Sequence, residues 1–271
     1  MIIDTHCHLV SSKYENMDKL VADSCDLGVT HCVTQGTHRA DWLLQLELVA
    51  RYPHFMSSCL AIHPCDAMTV VDGEGGDLEL LRELCLSHPP VAIGETGLDY
   101  FWSAPEGWTE EVYRARQQNL LEAQFQLASD LGLNISIHTR DRKGTACFDD
   151  CVAIARNFPK VRPVFHCFIG TKQQAQLVFD ELNGLISFTG IMTFKKTQDV
   201  QDVVSWCPEG RFMAETDSPY LSPEPFRGKV NIPGRTRYVV EKMAQLRRVS
   251  VEEIAAQTTA TAREFFRFKN I

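Results

Sequence analysis

Eight short runs rich in aliphatic and β-branched residues recur along this chain, each followed by a longer stretch of helical period. In order they read IIDTH, VTHCVTQ, MSSCLAIH, PVAIGE, NISIH, PVFHC, LISFTG and FMAET. Neighbouring parallel strands cannot be joined by a tight turn and need a crossover segment, so this alternation predicts a parallel sheet with helices on its faces. Eight such units close a sheet on itself, and 271 residues match the roughly 250 of one (β/α)8 TIM barrel. A single α/β barrel domain spanning residues 1–271 is therefore expected. The runner-up, an open doubly wound sheet, would bring a glycine-rich G-x-G-x-x-G turn, and the sequence has none.

The intervening segments carry their own punctuation. MDKLVADSCDLG keeps helical spacing and ends on Gly28, suited to a left-handed stop. DLELLRELCLSH runs into Pro89 and Pro90, which end a helix. Glu110 to Leu131 is the longest helical candidate, with Leu120, Leu121, Gln124, Leu127 and Ala128 as its buried stripe. Near the C-terminus, Ser250 three residues ahead of Glu253 has the spacing of a capping box.

Charge and cysteine usage exclude some classes. A formal net charge of -8 argues against coating nucleic acid by a basic surface, while leaving room for a small cationic cleft. Ten cysteines are scattered without any CxxC pair, and no basic segment leads into a long apolar run. They are read as reduced thiols of a cytoplasmic protein. No apolar stretch approaches the ~18 residues of a membrane span.

In a parallel barrel, functional residues gather where strands give way to the loops that follow. Here the first strand leads to His6 and His8, the fourth ends in Glu95, the fifth in His138, the sixth in His166, and Asp217 closely follows the eighth. The third carries His63. Residues two apart on a strand share a face, so His6 and His8 can converge on one ion. Imidazole with carboxylate suits zinc, manganese, iron or nickel better than calcium. Four histidines, an aspartate and a central glutamate exceed the needs of one ion, and the two oxygens of Glu95 can bridge a pair. Taken singly, each has a plainer reading: Asp217 as a helix cap in TDSP, Glu95 as a turn residue between glycines. Six costly polar residues at one barrel mouth are harder to explain that way. His31, His38, His54 and His88 are read as structural or solvated.

With these residues in place, the chain resembles the TatD family of metal-dependent deoxyribonucleases, within the amidohydrolase superfamily. The carriers are DTHCHL, IHP at 62–64, GETGLDY at 94–100, IHTR at 137–140, HCF at 166–168, FTG at 188–190 and ETDSPYL at 215–221. The resemblance implies two divalent ions (Zn2+, Mn2+ or Mg2+): His6, His8 and Asp217 on one, His138 and His166 on the other, and Glu95 between them. It also implies stepwise 3′ to 5′ removal of nucleotides from single-stranded DNA or RNA ends. Two departures, AIHP before the turn and DRKGT after IHTR, touch none of these ligands.

Phosphodiester hydrolysis needs cations on the phosphoryl oxygens and a nucleophile available near neutral pH. Asp217 is expected to serve as ligand and proton acceptor, and Glu95 to fix the metal pair. Arg140, Lys195, Lys196 or Arg227 would contact phosphate. His63 either assists the leaving oxygen or phosphate or is structural, and Tyr100 and Phe101 either stack on a base or pack. No membrane or obligate protein partner is expected. Alternatives are an ester or amide hydrolase such as a D-aminoacyl-tRNA deacylase, a small-molecule phosphodiesterase, and a catalytically idle metal-binding scaffold.

Overall fold

The computed structural model describes residues 1–268 and has the eight strands expected. β1 (Ile2–Cys7), β2 (Val29–Gly36), β3 (Met56–Leu60), β4 (Ala92–Tyr100), β5 (Ile135–Asp141), β6 (Pro163–Phe165), β7 (Leu185–Phe188) and β8 (Phe212–Ala214) form one sheet. Each strand pairs in parallel with the next in sequence order. The seam between β8 and β1 closes just beyond the end of β8, against the last residues of β1. Asp217 N–H donates to the His6 carbonyl at 2.9 Å and His8 N–H to the Ser218 carbonyl at 2.7 Å. The result is a (β/α)8 TIM barrel.

The crossovers are α1 (Met17–Asp26), α2 (Arg39–Arg51), α3 (Asp77–Ser87), α4 (Glu110–Leu131), α5 (Ala146–Ala155), α6 (Lys172–Leu182) and α7 (Gln198–Trp206), followed by α8 (Thr236–Arg247) and α9 (Val251–Phe266). Their ends are where the local chemistry places them. Asn16 accepts from Lys19 N–H, Thr109 from Val112 N–H and Ser250 from Glu253 N–H, each satisfying an otherwise unpaired donor of a first turn. Gly132 stops α4 in the left-handed region. None of the described helices is long and apolar enough to cross a membrane.

One apolar cluster draws Ile3, Val33, Cys59, Ala92, Val164, Leu185 and Met213 from seven strands. Only the barrel interior brings so many strands together, and Phe265 and Phe266 of α9 pack against it. A larger cluster fills the layer between sheet and helices. Ile3 and Ala92 face the interior, so strict alternation would turn His6 and Glu95 outward. Both strands break their register just there, β1 between Asp4 and Cys7 and β4 between Ile93 and Thr96. These irregularities shift the side-chain phase and bring the two ligand candidates inward.

β4 also runs five residues beyond Glu95, to Tyr100. Glu95 is therefore a buried strand residue, and the turn reading offered by its flanking glycines does not hold. Gly97 is what lets β4 continue: its φ is +146°, and a Cβ there would collide with the His138 carbonyl oxygen on β5.

His31 lies buried in β2, with Nε2 2.9 Å from Ser57 Oγ and Nδ1 3.4 Å from the His54 carbonyl. Burial pushes its imidazole down to about 4, against a smaller opposing effect of the His54 carbonyl. The folded ring is neutral where an unfolded one, near 6.5, begins to protonate. Stability is therefore kept above pH 6.5 and lost as pH falls from there toward 4. His31→Gln should flatten this acid dependence by up to about 3 kcal/mol at the low end, measured by denaturant unfolding at a series of pH values. A variant as acid-sensitive as the parent would contradict the assignment.

Candidate metal centre

Glu95, 3% exposed, stands at the centre of the barrel mouth with its two oxygens facing different partners. Oε1 lies 2.9 Å from His138 Nδ1 and 2.8 Å from His166 Nε2. Oε2 lies 3.4 Å from His6 Nε2 and 3.3 Å from His8 Nε2. The nitrogens converge within each pair as well, at 3.3 Å for His6 and His8 and 3.3 Å for His138 and His166. Asp217 Oδ1 joins the first pair, 3.2 Å from His8 Nε2 and 3.8 Å from His6 Nε2. All six residues singled out by the strand-end pattern are thus brought together. Asp217 is followed by a tight turn and not by a helix, so the capping alternative for it falls.

His63 reaches the same cluster from beyond β3, its Nε2 3.6 Å from Glu95 Oε1. Its Nδ1 accepts from Cys65 N–H at 3.2 Å. In the neutral ring the hydrogen then sits on Nε2, which makes this edge a donor and not a lone-pair ligand.

Two carboxylates that the strand-end reading passed over hold the histidines in place. Asp99 Oδ2 accepts from His138 Nε2 at 3.1 Å, which aims Nδ1 at Glu95. Glu215 is fully buried, and its Oε1 is fixed by Cys167 N–H at 2.5 Å and Ser187 Oγ at 2.9 Å. Its Oε2 faces His6 Nδ1 at 3.8 Å and His166 Nδ1 at 3.6 Å. The His6 and His166 rings stack in parallel, with centroids 3.8 Å apart, so one carboxylate orients both. Both acids lie inside GETGLDY and ETDSPYL; the available signal was a charge embedded in, or just beyond, an otherwise apolar strand.

The electrostatics fit cations. Burial alone would raise the Glu95 carboxyl, but His166, His6 and His63 and the hydrogen bond with His138 hold it well below the usual carboxylate range. Burial opposes ionisation of Asp217 too, and His8 and His6 outweigh it. Burial disfavours the His138 imidazolium, yet Asp99 and Glu95 raise it to about 9. Among the described residues, no Lys or Arg ion pair involves Glu95, Asp99, Glu215 or Asp217. Four carboxylates in a largely buried cluster with only imidazoles as basic partners are expensive unless further positive charge offsets them. Mixed imidazole and carboxylate donors suit a divalent ion of the zinc or manganese type.

The residues expected to meet substrate are less uniform. Arg140 is exposed at the mouth and stacks over Phe101 at 4.0 Å. Lys195 and Lys196 are exposed after β7, and Arg227 covers Phe194 at 3.5 Å. Tyr100 is not a base platform. It is 6% exposed, and its hydroxyl donates to Asp150 and accepts from Gln118, both at 2.8 Å. The extra length of β4 turns this ring into the packing against α4 and α5, and leaves Phe101 half-buried and Trp102 exposed.

In Glu215→Gln, the amide oxygen should keep the Cys167 and Ser187 contacts and turn an NH2 group toward two imidazole N–H groups. Metal affinity should fall roughly 10–100-fold, measured by competition with a coloured chelator. Unchanged affinity would show that Glu215 does not orient the ligands.

A family profile described as TatD related DNase matches residues 3–267. Among curated relatives, the metal-dependent hydrolase YabD of Bacillus subtilis is 34% identical over 271 residues, covering 98% of this chain and 99% of its own. YcfH of Escherichia coli K12, also named a metal-dependent hydrolase, is 36% identical over 265 residues, covering 95% of this chain and 92% of its own. Among solved structures, the TatD homologue YJJV of Escherichia coli superposes with a TM-score of 0.85 at 26% identity, over 99% of this chain and 98% of that one. A match over nearly the whole barrel, from β1 to the end of α9, places the chain in the TatD-related DNase family of metal-dependent hydrolases.

Proposed function

We propose that the chain, read as one domain over residues 1–271, is a two-metal phosphodiesterase that shortens single-stranded DNA, or RNA, from the 3′ end. The observation that carries this reading is the division of Glu95 between two histidine pairs. In it, His6, His8 and Asp217 would hold one divalent ion and His138 and His166 the other, with Glu95 offering one oxygen to each group. When bound, such a pair lowers the pKa of a water and neutralises charge on the phosphoryl oxygens.

The remaining work falls to side chains. Asp217, whose side chain is less buried than that of Glu95, takes the proton of the attacking water. His63 Nε2–H donates to the departing oxygen or to a phosphoryl oxygen, its tautomer fixed by Cys65. Asp99 and Glu215 keep three of the four ligand imidazoles aimed inward. Arg140 offers a guanidinium to a flanking phosphate. Local cations of this kind reconcile a polyanionic substrate with a chain of net charge -8. All ten cysteines are free thiols, which supports work in a reducing compartment such as the cytoplasm.

The metal-reconstituted protein should convert a 5′-labelled single strand into a ladder shortened stepwise from its 3′ end, and release no free amino acid from a D-aminoacyl-tRNA. Turnover of the acyl substrate with no shortening of DNA or RNA would overturn the reading in favour of an ester hydrolase. His63→Ala should lower kcat by roughly 100-fold or more with metal content unchanged; loss of metal would make His63 a ligand instead.

A further inference from the structure

Two exposed aromatic side chains flank the metal centre, each tied to one of its ligands. Tyr220, 51% exposed, lies three residues past Asp217, and its N–H donates to the Asp217 carbonyl at 2.9 Å. Its ring stands edge-on to His8 with centroids 6.2 Å apart, and Lys13 Nζ sits 4.4 Å from the ring centroid. On the other side, Trp102 is 54% exposed and meets Phe101 at 5.0 Å and 87°. The Arg140 guanidinium lies 4.0 Å from the Phe101 ring and 5.7 Å from the Trp102 ring.

This second group is fastened to the centre by Asp99. While Oδ2 holds His138, Oδ1 accepts from Phe101 N–H at 2.9 Å and Trp102 N–H at 3.4 Å. One carboxylate thus fixes a metal-ligand candidate and the turn that carries the aromatic pair. Tyr220 belongs to the His6, His8 and Asp217 side, and Trp102 to the His138 and His166 side. The cations are available to an anion: among the described residues neither Lys13 nor Arg140 forms an ion pair with a carboxylate. Large exposed rings beside unpaired cations are suited to a ligand that is both flat and anionic.

We propose that Tyr220 with Lys13, and Trp102 with Phe101 and Arg140, are base-stacking subsites on opposite sides of the metal centre, one for each nucleoside flanking the bond to be cut. The inference rests on the nuclease reading above and narrows its substrate to a strand with two adjacent unpaired bases. A paired end must fray before it can occupy both rings, so duplex ends are poor substrates. Stacking is indifferent to base identity, so all four bases are accepted.

The test compares two phosphorothioate-linked strands of equal length and charge on the metal-loaded protein, one of thymidines and one abasic, by fluorescence anisotropy. The wild type should bind the thymidine strand about tenfold or more tightly than the abasic one. Trp102→Ala and Tyr220→Ala should each shrink that preference several-fold, and Tyr220→Phe should retain it. Equal binding of the two strands by the wild type, or an undiminished preference in both alanine variants, overturns the stacking subsites. If the same preparation still shortens ordinary single strands, the nuclease reading survives that result. A wild type that neither binds nor shortens any strand overturns both.

Discussion

The site depends on a single carboxylate shared between two sets of imidazoles. Glu95 is buried at the centre of the barrel, and a lone carboxylate there would be strongly disfavoured. It stays ionised because four ligand-candidate histidines face it, two on each oxygen. The histidines are in turn held by carboxylates behind them, Asp99 for His138 and Glu215 for His6 and His166. Carboxylate and imidazole therefore alternate outward from Glu95, and each layer fixes the orientation of the one inside it.

A closed barrel meets that demand through its geometry. Parallel strands deliver their ends to one face, so residues more than two hundred positions apart, such as His6 and Asp217, come within 3.8 Å. Delivery also requires departures from regular structure. The register breaks of β1 and β4 bring His6 and Glu95 into the interior, and Gly97 lets β4 pass close to the backbone of His138. Cys167 and Asp217, beside or at ligand positions, hold positive φ without being glycine. Such backbone persists where surrounding contacts over-determine it, as the closing hydrogen bonds of the β8 to β1 seam do at Asp217.

Much of this is legible in the sequence, for identifiable reasons. Strand–helix alternation is strong because every barrel unit repeats it, and the ligand candidates stand out as polar residues at the ends of apolar runs. Asp99 and Glu215 are harder to see, since their value lies in what they touch across the barrel. Glu215 reads as an ordinary polar residue near the end of FMAET until the His6 and His166 rings are seen stacked in front of it. Tyr100 misleads for a related reason. The glycines around Glu95 suggest a turn, whereas β4 continues through them and carries the tyrosine into the core. A register break leaves no mark in composition or periodicity, so the inward phase of His6 and Glu95 emerges only with the fold.

The account turns on whether Glu95 lies between two ions. The most direct measurement is anomalous diffraction from crystals grown with manganese or zinc. Two peaks roughly 3.5–4 Å apart are expected, one beside His6, His8 and Asp217 and one beside His138 and His166, with a Glu95 oxygen on each. A single peak, or two peaks that leave Glu95 out of contact with either, would contradict it.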